Sequence, residues 1–311
     1  MKTILISGCC GFIGSNLCDF YLKKDFKVIG LDNLLTGDIS NINDSLKKSN
    51  FKFVRHDICN EIIINEKIDY ILHFASTASP ADYLKYPIKT LRIGSLGTEN
   101  MLKLAVKNKA TILVASTSEV YGDPLEHPQS ENYFGNVNSV GPRGVYDEAK
   151  RYLEALTTAY KKKKKLDVRI IRIFNTYGPK MRKNDGRAIP NFINQAITNK
   201  DFTVYGDGNQ TRSFCYIDDT IEGINKLLFS NYDLPINIGN PKEYNINQLV
   251  LKIKDIIKCK GKITYSELPE NDPMVRKPNI DLAKKILKWN PKINLDKGLK
   301  KTIDYFYNLD L

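Results

Sequence analysis

Two residues four positions apart, Tyr146 and Lys150, are of types that can move a proton together. On a helix this spacing puts both on one face, about one turn apart, so the ammonium can sit near the phenol. A free tyrosine titrates near ~10, and a neighbouring positive charge favours the phenolate that a base requires. Taken alone, the pair is better read as a half-exposed helix with a lysine stretched along its surface. Two other features give it weight. Residues 116–122 (Ser-Thr-Ser-Glu-Val-Tyr-Gly) set Thr117, Ser118 and Glu119 directly after the apolar run 111–115, and the N-terminus carries a nucleotide-binding pattern.

That pattern begins with a short apolar strand, residues 3–7, which runs into Gly8-Cys9-Cys10-Gly11-Phe12-Ile13-Gly14 and a helical stretch, 15–24. Glycines permit a tight turn and close approach to a pyrophosphate, and a helix N-terminus offers free N–H groups. A second strand, 27–31, ends in Asp32-Asn33, where an acidic side chain can accept hydrogen bonds from the adenosine ribose and repel a 2′-phosphate. NAD is therefore expected rather than NADP. A third strand (51–54) leads to Asp57-Ile58, at an edge suited to adenine, and a fourth (70–75) exits through the small polar loop 76–80. A long helix ending near Asn108, the strand 111–115 and a sixth strand, 167–173, complete the alternation.

Strands alternating with helices predict an α/β fold, a Rossmann-like doubly wound parallel sheet with its ligand outside the strand carboxyl ends. Beyond Pro179 the alternation weakens, which predicts a smaller α/β substrate-binding region including helices 245–258 and 295–306. The helix 218–229 and strand 236–238 are expected to return to the main sheet. The division is thus interleaved: 1–174 plus about 213–238 for the cofactor, and 175–212 plus about 239–311 for the substrate.

At 311 residues, 42% hydrophobic and 26% charged, the composition is that of a soluble globular protein. No apolar run approaches the ~18 residues of a membrane span, and the first residues do not read as a secretory signal, so a cytoplasmic location is expected. The formal charge of +12 is spread along the chain, which argues against a nucleic-acid partner while still drawing anionic ligands inward. Six cysteines and three scattered histidines lack metal-ligand spacing, so no metal is expected. Arg212 and Arg276 read either as planar forks for a diphosphate or carboxylate, or as ordinary surface charge among 47 Lys and Arg.

With these residues in view, the chain resembles the extended short-chain dehydrogenases/reductases over nearly its full length. The matching residues are Gly8, Gly11, Gly14, Asp32, Asn33, Thr117, Tyr146 and Lys150. More narrowly it is similar to the UDP-glucuronate decarboxylases, in the stretches 31–37, 116–124, 146–151, 172–179 and 204–214. Related 4,6-dehydratases carry an Asp-Glu pair where this chain has Ser118-Glu119, and epimerases usually lack the glutamate. Arg276, in the segment 272–278, also fits a decarboxylase position.

The resemblance implies a tightly bound, catalytic NAD held by Gly8, Gly11, Phe12, Ile13, Gly14, Asp32, Asn33, Leu35, Thr36, Gly37, Asp57, Ile58, Tyr146, Lys150 and Thr176. It implies UDP-glucuronate as substrate, contacted by Asn175, Arg187, Tyr205, Arg212 and Arg276. It further implies Thr117, Ser118, Glu119, Tyr146, Lys150 and Arg276 as the catalytic set, and a homodimer through the helices beginning near Pro87 and Tyr146. Animal members carry an N-terminal membrane anchor that is not seen in this sequence, so a bacterial-type enzyme is expected. The alternatives are a 4-epimerase, a 4,6-dehydratase, a decarboxylase that releases the 4-keto pentose, and a nucleotide-sensing module without catalysis.

Overall fold

Seven parallel strands form the central sheet: Thr3–Ser7 (β1), Lys27–Asp32 (β2), Phe51–Arg55 (β3), Tyr70–His73 (β4), Thr111–Thr117 (β5), Val168–Ile173 (β6) and Pro235–Ile238 (β7). Their order across the sheet is β7-β6-β5-β4-β1-β2-β3. The computed structural model describes residues 1–270 and 272–309. Asn271, Asp310 and Leu311, which belong to the expected substrate-binding segment 239–311, lie outside the described residues.

The sequence of β1 shows why the sheet is covered on both faces. Successive side chains of a strand point to opposite sides, and Ile4 and Ile6 enter one core while Leu5 enters the other. In β5, Leu113 joins the first core, and Ile112 and Val114 join the second. Each such aliphatic side chain contributes roughly 1.5–3 kcal/mol by leaving water. Helices Phe12–Leu22 and Ile217–Leu228 pack together over the first core. Thr98–Asn108 and Gly144–Lys164 pack over the second.

The expected long helix before Asn108 is broken. It consists of Pro80–Lys85, Pro87–Arg92, a π turn at Ile93–Gly97 and Thr98–Asn108. Pro87 has no N–H to continue the preceding helix. A Cβ on Gly94 would lie 2.8 Å from the Ala149 carbonyl oxygen, so this glycine lets the π turn press against the helix that carries Tyr146.

Smaller sheets build the wall opposite the main sheet. Phe202–Tyr205 pairs with Ile263–Ser266, and Thr211–Ser213 lies between Glu243–Asn245 and Val275–Arg276. In the latter sheet Arg212 and Arg276 are register partners on parallel strands. Paired residues share a face, so two like charges stand side by side and need anions nearby.

The chain departs in opposite directions from β1 and β4, opening a crevice at the strands' carboxyl ends where β1 runs into the glycine turn. Gly8 has a φ of 75°, and a Cβ there would fall 2.8 Å from the Ala75 backbone. A Cβ on Gly14 would lie 2.0 Å from the Gly8 carbonyl oxygen, whereas one on Gly11 approaches that oxygen only to 3.3 Å. Gly14→Ala is therefore expected to cost about 3 kcal/mol in stability, and Gly11→Ala less than about 1 kcal/mol. Thermal unfolding checks this, and equal losses for the two would contradict it.

Candidate active site

The crevice holds two connected chambers that share Gly8, Gly11, Thr36, Phe74 and Ser76. The smaller one is lined by Leu31, Asp32, Asn33, Leu35, Gly37, Asp57 and Ile58, which places the expected adenosine-side residues together. Asp32 accepts the N–H groups of Cys10 (2.9 Å) and Leu34 (2.8 Å). Burial raises its pKa while these donors oppose the shift. Burial likewise works against the charge of Asp57, but the ion pair with Lys89 and the Cys59 N–H outweigh it and hold the carboxyl at about 2.

The larger chamber, about 670 Å³, is lined by Phe12, Ile13, Gly14, Thr117, Ser118, Glu119, Tyr146, Lys150, Asn175, Thr176, Arg187, Tyr205, Arg212 and Arg276. All the expected catalytic and substrate-contacting residues thus face one space. Among the described residues, seven Lys or Arg line it against five Asp or Glu, which suits an anionic ligand. The glycine turn, the carboxylate at the end of β2 and the connected chambers fit a dinucleotide that spans the crevice.

Tyr146 and Lys150 lie in the first two turns of Gly144–Lys164, and Thr117 ends β5. The Lys150 ammonium is 5.7 Å from the centre of the Tyr146 ring and donates to the Ala115 carbonyl at 2.8 Å. Burial lowers Lys150 to about 8, with Glu154 opposing. Other groups besides Lys150 bear on the ionisation of Tyr146. Burial, and then the charge of Glu119, pushes the phenol up, and the Thr117 hydrogen bond and the positive Arg187 oppose them. The Tyr146 ring stacks on Tyr83, with centroids 5.2 Å apart and planes 9° from parallel.

Beside this group runs a chain of ion pairs. Glu119 Oε2 meets both Arg143 and Arg276, the latter at 3.2 Å. Arg143 continues to Asp272 at 3.3 Å, and Asp272 to Arg212 at 2.8 Å. Arg276 also donates to the Ser118 carbonyl at 2.7 Å, and its buried Nε has no partner among the described residues. Burial works against ionisation of Glu119, but Arg276 and Arg143 outweigh it and hold the carboxyl at about 2.

Other expected residues are engaged in varied ways. The Asn175 amide nitrogen is buried and unpartnered, while the Thr176 hydroxyl is satisfied by Phe174 and Thr220. Arg187 is gripped through two nitrogens by Asp185, and Tyr205 is 47% exposed. Arg143 and Tyr83 were not singled out in the sequence. The one available signal for Arg143 was its place three residues before Tyr146. Cys9, Cys10 and Asp32 bring potential metal ligands within 4.8 Å. Hydrogen bonding to Cys10 and Cys18, together with burial, pushes the Cys9 thiol far above its usual range, so the thiolate that a metal needs is disfavoured.

A family model described as GDP-mannose 4,6 dehydratase matches residues 5–302. UDP-glucuronic acid decarboxylase 1 of Xenopus tropicalis is 46% identical over 305 residues, covering 98% of this chain and 72% of that protein. UDP-glucuronic acid decarboxylase 6 of Arabidopsis thaliana is 45% identical, covering 95% and 86%. The chain belongs to the UDP-glucuronic acid decarboxylase family. Among solved structures, UDP-glucuronic acid 4-epimerase from Bacillus cereus in complex with UDP-glucuronic acid and NAD superposes with a TM-score of 0.88. It is 28% identical, covering 99% of this chain and 100% of that one. The decarboxylase family thus shares its scaffold with epimerases and dehydratases.

Asp147, next to Tyr146 and buried, has one oxygen without a partner. Burial and then the negative Glu119 raise it to about 7 from its ordinary 3.8. The folded state therefore binds this proton more tightly than the unfolded chain, and Asp147 destabilises the fold progressively as pH rises from 3.8 to about 7. Asp147→Asn is expected to raise the melting temperature relative to the parent more at neutral pH than in acid. A difference that does not change with pH would contradict this.

Proposed function

We propose that the protein converts UDP-glucuronate to UDP-xylose by oxidation at C4, loss of carbon dioxide and re-reduction, with NAD retained throughout. The observation that carries this reading is the guanidinium-lined corner around Glu119 in the chamber that also holds Tyr146. It offers a carboxylate binder beside a base for a sugar hydroxyl.

Bound NAD would supply the reversible oxidation that puts a ketone at C4, β to the C6 carboxylate, so that carbon dioxide can leave while the C5–C6 electron pair stays on the sugar, delocalised onto the C4 oxygen. Tyr146 takes the C4 hydroxyl proton, and Thr117 hydrogen-bonds the same oxygen and holds the charge that develops there. Lys150 fixes the local field from its seat on the Ala115 carbonyl. Arg276 holds the C6 carboxylate and then a water, while the Ser118 backbone orients Arg276. Glu119 takes up a solvent proton once the sugar is seated and delivers it to C5. Asn175, Arg187, Tyr205 and Arg212 contact the nucleotide diphosphate. Asp32 selects NAD by repelling a 2′-phosphate.

The interleaved division into a cofactor region and a substrate region is part of this proposal, as are a cytoplasmic location and a homodimer. Six unpaired cysteines suit a reducing compartment. Exposed Ile88, Leu91 and Tyr152, on the two helices expected to meet a second copy, support the dimer. Among the described residues no helix is long and apolar enough to cross a membrane.

The protein incubated with NAD and UDP-glucuronate is expected to yield carbon dioxide and UDP-pentose in equal amounts, without net NADH. The C4 epimer without carbon dioxide would move the reading to an epimerase, and NADH accumulating with product would move it to a decarboxylase that releases the ketone. Tyr146→Phe is expected to keep NAD and UDP affinity and to lose about 1,000-fold in turnover. Unchanged turnover would remove Tyr146 as the base.

A further inference from the structure

The ion pairs beside Tyr146 run Arg276–Glu119–Arg143–Asp272–Arg212, three guanidiniums alternating with two carboxylates. A chain that begins and ends on a cation carries one positive charge in excess. A buried excess charge is costly unless an anion reaches it. A buried Arg276 Nε in the same corner marks a donor with no acceptor among the described residues.

The three arginines are not equally free to serve an entering anion. Arg276 is 1% exposed and is held on a strand by the Ser118 carbonyl as well as by Glu119. Arg212 is tied to its own strand through the Thr211 carbonyl and to Asp272. Among the described residues the Arg143 side chain is held by two carboxylates and by no backbone carbonyl, and it keeps 19% exposure at the mouth of the helix carrying Tyr146. It can exchange one carboxylate for another without breaking a backbone contact.

Glu119 is also poorly prepared for proton transfer while both guanidiniums sit on one of its oxygens. Efficient acid–base groups titrate near the working pH, and this carboxyl lies far below it. Withdrawing one guanidinium relieves part of that hold. From these constraints, and resting on the reaction proposed above, we infer that Arg143 is a positioning residue that reads the sugar carboxylate. The entering C6 carboxylate draws Arg143 off Glu119, so that Glu119 is released only when a carboxylated sugar is seated. A sugar nucleotide with a neutral C6 hydroxymethyl group leaves the Arg143–Glu119 pair closed.

The test compares UDP-glucuronate, UDP-glucose and UDP in calorimetric titrations of the NAD-loaded protein in a Tyr146→Phe background, which stops turnover. The parent is expected to prefer UDP-glucuronate over UDP-glucose by about tenfold or more, and Arg143→Gln to bring that preference within about threefold while UDP affinity holds. In the otherwise unaltered enzyme, Arg143→Gln is expected to lower kcat for carbon dioxide release by about 100-fold. Arg143→Lys keeps the charge but lacks the fork that spans Glu119 and Asp272, and is expected to recover part of both losses.

A preference and kcat that survive Arg143→Gln would overturn the inference. If Arg143→Gln does not fold, as judged by lost UDP binding, Arg143→Lys decides: parent-like preference and kcat overturn the inference, and partial loss of both supports it. If the unaltered enzyme releases no carbon dioxide, the decarboxylation reading fails by itself. A UDP-glucuronate preference that disappears in Arg143→Gln would still assign Arg143 to the carboxylate.

Discussion

Arg212 and Arg276 occupy register positions on neighbouring strands, which forces two guanidiniums into one small volume. Water is largely excluded there, so their charges can be accommodated only by placing carboxylates between and around them. Asp272 answers Arg212, Glu119 answers Arg276, and Arg143 bridges the two acids. The network therefore ties four separate parts of the chain to one corner: the turn after β5, the start of the helix carrying Tyr146, the strand Thr211–Ser213, and the C-terminal segment from Asp272 to Arg276. Each of these carries a residue assigned to chemistry or substrate. In the proposed reaction, electrostatic compensation and catalytic geometry are set by the same contacts.

The doubly wound sheet makes this possible by delivering both halves of the chemistry to one edge. β1 ends in the glycine turn, β2 in Asp32 and β5 in Thr117, so the cofactor side and the proton-transfer side open onto connected chambers. Two glycines act on the scaffold rather than on a ligand. Gly14 allows the first helix to approach the Gly8 carbonyl, and Gly94 allows the π turn to lie against Ala149, one residue before Lys150. The helix that presents Tyr146 and Lys150 is thus held from one side by close backbone packing and from the other by the Tyr83 ring.

Most of the sheet was legible because its signals are local. A buried strand such as 3–7, a glycine turn and an acidic strand end all lie within a few residues of each other, and β6 and β7 were recognised from equally short apolar runs. The broken helix before Asn108 was less legible. Pro87 is visible in sequence, but the π turn depends on what Gly94 meets across space. In the site, Tyr146 and Lys150 were legible from their spacing, yet the balance at the phenol was not. It is set by burial and by Glu119, which the turn after β5 brings alongside. Arg143 illustrates the same limit. Among many basic residues nothing local distinguishes it, and only the folded chain shows that it is clamped between Glu119 and Asp272.

A site that oxidises C4, releases carbon dioxide, protonates C5 and then returns the same hydride must leave a definite isotopic record. The decisive measurement is turnover of UDP-glucuronate in deuterium oxide with the NAD-loaded protein, with the UDP-pentose analysed by NMR. The account predicts a single deuterium at C5 and the substrate's own hydrogen at C4. Product that carries deuterium at C4, or no deuterium at C5, would contradict it.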